Sequence, residues 1–235
     1  EHFRCAPEIA AFTNDLCHQR DPLVILTSGG SRRLSPILAD AQVPGARLEG
    51  AAGGAVNPAE ARTLAEQAVV CCRRRSYEGK TMAVVSLGGE PQARLVERLL
   101  LGMLGPGEME RRRLVCGVPR DLAGDERDVV FLSLAVAPPG PIEPLGGPAA
   151  EAEFNVAASL AREQLWLFRS VAATDLGGGC LRRALIAHFA RSPVTSAEIG
   201  TAYIEELQRL AETINRDRIP PPEPFRSWFA VDLVL

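Results

Sequence analysis

The chain has 235 residues, of which 46% are hydrophobic and 23% charged, with a formal net charge of −3. That length can bury a real core, and that composition excludes a disordered or fibrous protein. The charge excludes a global field drawing the protein to nucleic acid or an anionic membrane, and no apolar run reaches the ~18 residues of a membrane span.

In chain order, residues 7–17 (PEIAAFTNDLC) read as a helix with Pro7 near its start. Residues 23–27 (LVILT) are a short apolar run, and 28–56 are loop with room for one short strand. Asn57-Pro58-Ala59-Glu60 is a helix start, with Asn57 as N-cap, proline in the first turn and Glu60 three residues after the cap. Leu64, Gln67, Ala68 and Cys71 mark one face of that helix, which ends at Arg73-Arg74-Arg75, where cations suit the negative end of the dipole. Residues 81–87 (TMAVVSL) are a buried strand by length and β-branching. Gly88-Gly89 turns into a helix over 90–104, with Leu95, Leu99 and Leu100 inward. Arg111-Arg112-Arg113 precede a short strand, 114–116. Residues 128–137 (DVVFLSLAVA) are the strongest strand, and the Pro/Gly-rich 138–150 are a loop. A helix over 151–162, a strand over 165–171 and helices over 180–190 and 196–214 follow. Pro220-Pro221-Pro222 sit in a stiff linker, and 225–235 open another element.

Near-continuous apolar strands alternating with helices predict an α/β domain over 1–190, a three-layer parallel sheet with helices on both faces. Ligands in such sheets bind at the carboxyl ends of the strands, which places chemistry in the loops after Ser86, after Cys116 and before Asn155.

The six cysteines include no C-x-x-C pair, and side chains of the adjacent Cys71 and Cys72 diverge on a helix. Free thiols in a reducing cytoplasm are the expectation. Of the 26 basic residues only Lys80 is lysine, a skew that suggests codon bias rather than nucleic-acid binding. Gly79-Lys80-Thr81 looks like the tail of a phosphate loop, but Arg74 stands where its first glycine belongs, and a strand follows where a helix should. Lys80 therefore reads as a solvated residue at a strand entrance. The basic clusters 73–75 and 111–113 have no interleaved aromatics for base stacking, so they too read as solvated ends.

Four runs resemble, in order, motifs of the C-terminal RecA-like domain of superfamily 1 helicases, in the branch that moves 5′ to 3′. They are EHFRCAPEIAAFTNDLC, AVVSLGGEPQARLVERLL (motif IV), RDLAGDERDVVFLSL (motif V) and FNVAASLAREQLWLF (motif VI). The tail PFRSWFAVD is similar to the entry of the nuclease-like domain that follows the motor in some bacterial members, with Ala230 where a carboxylate is usual. The resemblance divides the chain into a motor half, 1–190, a helix plus linker, 191–224, and a stub, 225–235. The absence of an initial Met fits a piece whose ATP-binding half lies upstream.

What the resemblance implies is phosphoryl-transfer chemistry in a cleft between two RecA-like halves, coupled to movement along single-stranded DNA. ATP and Mg²⁺ are held mainly by the N-terminal half, and neither by this chain alone. Arg4 becomes a catalytic arginine at the γ-phosphate. Gln92, Gly124, Glu126 and Arg162 become nucleotide-binding positions, and Ser86 and Gly89 the nucleic-acid loop. On the residues alone, Arg4 is also a partner for Glu8, Gln92 a helix-start residue and Glu126 a loop acid. Asn155 and Ser159 are equally able to bond the backbone of their own helix. The chain departs from the pattern at Leu122-Ala123, where motif V carries Phe-Gln, and at Leu160, where motif VI carries an arginine. Arg162 lies two residues on, which is another face of the predicted helix. The alternative is a degenerate helicase-like module that binds nucleic acid or a partner without hydrolysis.

Overall fold

The computed structural model describes residues 5–17, 34–50, 54–138 and 142–191. Arg4, the apolar run 23–27, the helix expected over 196–214, the linker and the stub lie outside the described residues.

The strands are β1 (Leu38–Gln42), β2 (Met82–Ser86), β3 (Val115–Gly117), β4 (Arg127–Ser133) and β5 (Ala161–Arg169). They form one five-stranded sheet in the order β1-β5-β4-β2-β3, every pair parallel. The helices are α1 (Pro7–Cys17), α2 (Pro58–Arg73), α3 (Glu90–Leu104), α4 (Pro106–Arg111), α5 (Pro148–Ser159) and α6 (Leu181–Arg191). Strand side chains alternate between the two faces. Met82, Val84, Val129, Phe131 and Phe168 pack with apolar residues of α2, α3 and α4. Ala83, Val85, Val130, Leu132, Leu165 and Leu167 pack with those of α1, α5 and α6. The protein is therefore a three-layer α/β sandwich, which is why β2 and β4 read as unbroken apolar runs. No helix among the described residues is long and apolar enough to cross a membrane.

Four local expectations are corrected. The helix expected over 151–162 ends at Ser159, and β5 begins at Ala161. Ala-Arg-Glu-Gln favours helix by propensity, but Ala161 pairs with Arg127 of β4, and Arg127 N–H donates to Leu160 O at 2.9 Å. Strand β4 ends at Ser133, not 137, because the chain leaves the ladder and Ala135 takes a φ of +50°. In the basic run 111–113, Arg111 and Arg113 are exposed as expected, but the middle residue is not solvated. Arg112 is buried, and its guanidinium donates to Tyr77 O, to Cys72 O at 2.7 Å and to the Glu108 carboxylate at 2.9 Å. Lys80 is not a free solvated lysine either, since it pairs with Glu163 of β5. In α3, Leu100 is buried as expected, Leu95 and Leu99 are half-buried, and Val96 and Gln92 take the inner face with it.

The chain after β2 runs to α3 and the edge strand β3. The chain after β4 runs to α5 and β5 on the other side. The carboxyl ends of the neighbours β2 and β4 are thus a topological switch point, where an open parallel sheet leaves a crevice.

Candidate functional site

The predicted site residues lie at opposite ends of the sheet. Ser86, Gly89 and Gln92 stand at the carboxyl end, after β2, whereas Gly124, Glu126 and Arg162 stand at the amino end of β4 and β5. The seven residues of β4 separate the two ends by roughly 20 Å.

At the carboxyl end the crevice is filled by the protein itself. Ser86, Ser133 and Ser170 continue the rows of apolar side chains that face α2, and all three are buried. The N-terminus of α2 stands over them. Asn57 caps it by accepting from Glu60 N–H at 3.1 Å. A capping box would return the Glu60 carboxylate to Asn57 N–H. Gln92 takes that place: its Oε1 accepts from Asn57 N–H at 2.8 Å. Its Nε2 donates to Asn57 O at 3.2 Å and to Ser133 Oγ at 3.1 Å. Glu60 is thereby free to turn inward. Its Oε1 accepts from Ser133 Oγ and from Ala135 N–H, both at 2.7 Å. Its Oε2 accepts from Ser170 Oγ at 2.8 Å and Asn57 Nδ2 at 3.3 Å. Ser170 Oγ in turn accepts from Asn57 Nδ2 at 2.8 Å. Burial pushes the Glu60 carboxyl above the usual carboxylate range, against the pull of the donors from Ala135, Ser133 and Ser170.

Gln92, at 0% exposure and with both amide atoms engaged, is a joint between α2 and α3 and faces no solvent-filled cleft. Ser86 is likewise turned into the protein. Its hydroxyl donates to Gly89 O at 2.7 Å and accepts from Gly88 N–H at 3.2 Å. The backbone of the turn is accessible: Gly88 is exposed and Gly89, at φ +101°, is half-buried.

The amino end is charged and open. After a 3₁₀ turn over Pro119–Leu122 the chain reverses at Gly124, φ +86°, with open space around it. Asp125 accepts from Glu126 N–H at 2.9 Å and pairs with Arg127. Burial opposes ionisation of Asp125, but these two donors win and hold its carboxyl below the ordinary value. Arg127 also donates to Arg113 O at 3.1 Å. Glu126 is left to pair with Arg162 at 3.5 Å, with side chains 45% and 50% exposed. Because β5 starts at Ala161, Arg162 points from a strand entrance, not from a helix face. Ala6 N–H donates to Arg162 O at 2.9 Å, so the entry to α1 lies against the same edge. Leu160, in contrast, is 2% exposed and part of the core.

Among the described residues, Cys5, Cys71, Cys72, Cys116 and Cys180 form no disulfide. Burial pushes Cys72 up to about 11 and Cys116 up to about 12, whereas at Cys180 burial is outweighed by backbone N–H donors from Leu145, Arg183 and Arg182, which hold that thiol below its ordinary value. No group of three or more His, Cys, Asp or Glu among the described residues is placed to hold a metal ion. Sequence reasoning read Glu60 as a first-turn acid and passed over Ser133 and Ser170. The available signal was a serine closing each of three apolar runs, MAVVS, DVVFLS and LWLFRS. No protein-family model matches the chain, and no curated protein matches its sequence.

Proposed function

We propose that this chain is the C-terminal RecA-like half of an ATP-dependent superfamily 1 DNA helicase. Its partners are an N-terminal RecA-like half of the same protein and single-stranded DNA, and its place is the cytoplasm. The observation that carries the reading is the Arg162–Glu126 pair beside the Gly124 turn. Residues from two separate motif runs meet at one open edge. An exposed pair of this kind is worth at most about 1 kcal/mol. An arriving phosphate can draw Arg162 away at small cost and gains a planar, permanently charged donor. Arg162 therefore suits the γ-phosphate. Lys80 is held by Glu163, so in this reading Mg²⁺ and most of ATP are held by the other half.

A specific observation favours the second reading, a module that binds nucleic acid or a partner without hydrolysis. The motif VI position that carries an arginine in the resembled family is here a core leucine, Leu160.

Two measurements separate them. The reading frame upstream of Glu1 should encode a strand followed by G-x-x-x-x-G-K-S/T and a later Asp-Glu pair; a frame without them overturns the motor. In the protein with that half present, Arg162→Ala should lower DNA-stimulated ATP hydrolysis by about 10³-fold or more. Unchanged hydrolysis removes Arg162 from the site. Wild-type protein that binds single strands at low salt but hydrolyses no ATP selects the second reading.

A further inference from the structure

The Gly88–Gly89 turn is an exposed feature of the carboxyl end, and it is held from two directions. From below, Ser86 Oγ ties Gly88 N–H and Gly89 O together. From the side, Ala135 closes on it: a Cβ on Gly88 would lie 2.3 Å from Ala135 Cβ, so only glycine fits there. Ala135 is itself in the left-handed region at φ +50°, a conformation that an L-residue keeps only when its surroundings impose it. Its N–H is held by Glu60, whose Oε1 accepts from it at 2.7 Å. The same carboxylate oxygen fixes Ser133, which receives Gln92 two residues inside α3. Glu60 thus holds one flank of the turn, Ala135, directly, and bears on the other, the start of α3, through Ser133, where Gln92 is also bonded to the backbone of Asn57. Asn57 and Ser170 hold the carboxyl group's second oxygen.

We propose that Glu60 is a positioning residue that sets the geometry of the Gly88–Gly89 turn and through it the grip of this protein on single-stranded nucleic acid. The second clause rests on the reading of that turn as a nucleic-acid contact, and the first does not. A bare structural glutamate would stabilise the whole sheet evenly. A positioning residue acts at one place.

The test uses the full chain and two readouts. Amide hydrogen exchange at Gly88, Gly89 and Ala135 reports the turn, and fluorescence anisotropy with a labelled oligothymidine reports binding. Glu60→Gln keeps the volume but replaces one acceptor with a donor. It should raise exchange at those three amides selectively, with the strand amides of β2 and β4 unchanged. It should also weaken oligothymidine binding by about tenfold, the cost of one misplaced buried hydrogen bond. Ser170→Ala removes a donor on the far side of Glu60 and should give the same pattern more weakly; it carries the test if Glu60→Gln fails to fold. Exchange that rises evenly over β2 and β4, or not at all, overturns the positioning role. A selective change at the turn in a chain whose wild type binds no oligothymidine leaves that role standing and removes the nucleic-acid reading.

Discussion

Replacing Gln92 with alanine removes the amide that joins α2 to α3. Three hydrogen bonds go with it, to Asn57 N–H, Asn57 O and Ser133 Oγ. Asn57 N–H is the serious loss. It lies at 0% exposure at a helix N-terminus, and its other natural acceptor, Glu60, is engaged elsewhere. An orphaned buried donor costs about 1–3 kcal/mol. The space left by the side chain, walled by α2, α3 and Ser133, adds about 1–2 kcal/mol for a cavity that the sheet cannot fill. The expected loss is therefore about 2–5 kcal/mol. In a domain of this size that lowers the melting temperature by roughly 10 °C. Urea unfolding followed by circular dichroism measures it as a shift in midpoint with an unchanged slope. If Gln92 were a ligand-facing residue, alanine would change stability by no more than about 0.5 kcal/mol and act only on binding. A measured loss below about 1 kcal/mol refutes the placement of its amide inside the joint.

Leu160→Arg, the change that would restore the motif VI arginine, is expected to destabilise the chain by about 3–5 kcal/mol, because it exchanges a core leucine for an unpaired buried guanidinium. A thermal melt checks this, and a variant as stable as wild type would mean that position 160 can reach solvent. His188 makes stability depend on pH. Burial holds its imidazole below 6.5, beside Phe12, with Nε2 2.8 Å from Glu8 O. The unfolded chain binds the proton more tightly than the folded one, so stability is full above that unfolded value and falls as pH drops through it. Urea midpoints at about pH 7.5 and about pH 5.5 should differ more for wild type than for His188→Gln. Equal differences would remove His188 as the source.

The layers were legible because burial on both faces leaves a plain mark: MAVVS and DVVFLS can hardly be anything but central strands. The start of α2 was legible because Asn57 and Pro58 act locally. Where local preference and tertiary pairing disagree, the sequence misleads. Residues 161–164 favour helix, and only the partner strand 34 residues earlier, at Arg127, makes them β. The same holds for function. Glu60 sits where a capping acid belongs, and nothing nearby in sequence says that Gln92 has displaced it. Its partners Ser133 and Ser170 lie 73 and 110 residues away. Gln92 stands out by its motif position, and nothing near it in sequence points to its hydrogen bonds with Asn57, 35 residues earlier.

The junction at Leu160 has a mechanical consequence. Helix α5 passes into β5 through that one residue, whose N–H still donates back to Val156 O and whose carbonyl already accepts from β4. Most helix-to-strand connections have a few residues of slack. Here there is none, so α5 and the entrance of β5 form a rigid lever. Any partner that tilts α5 must carry Arg162 with it, and any ligand that pulls on Arg162 pulls on the helix.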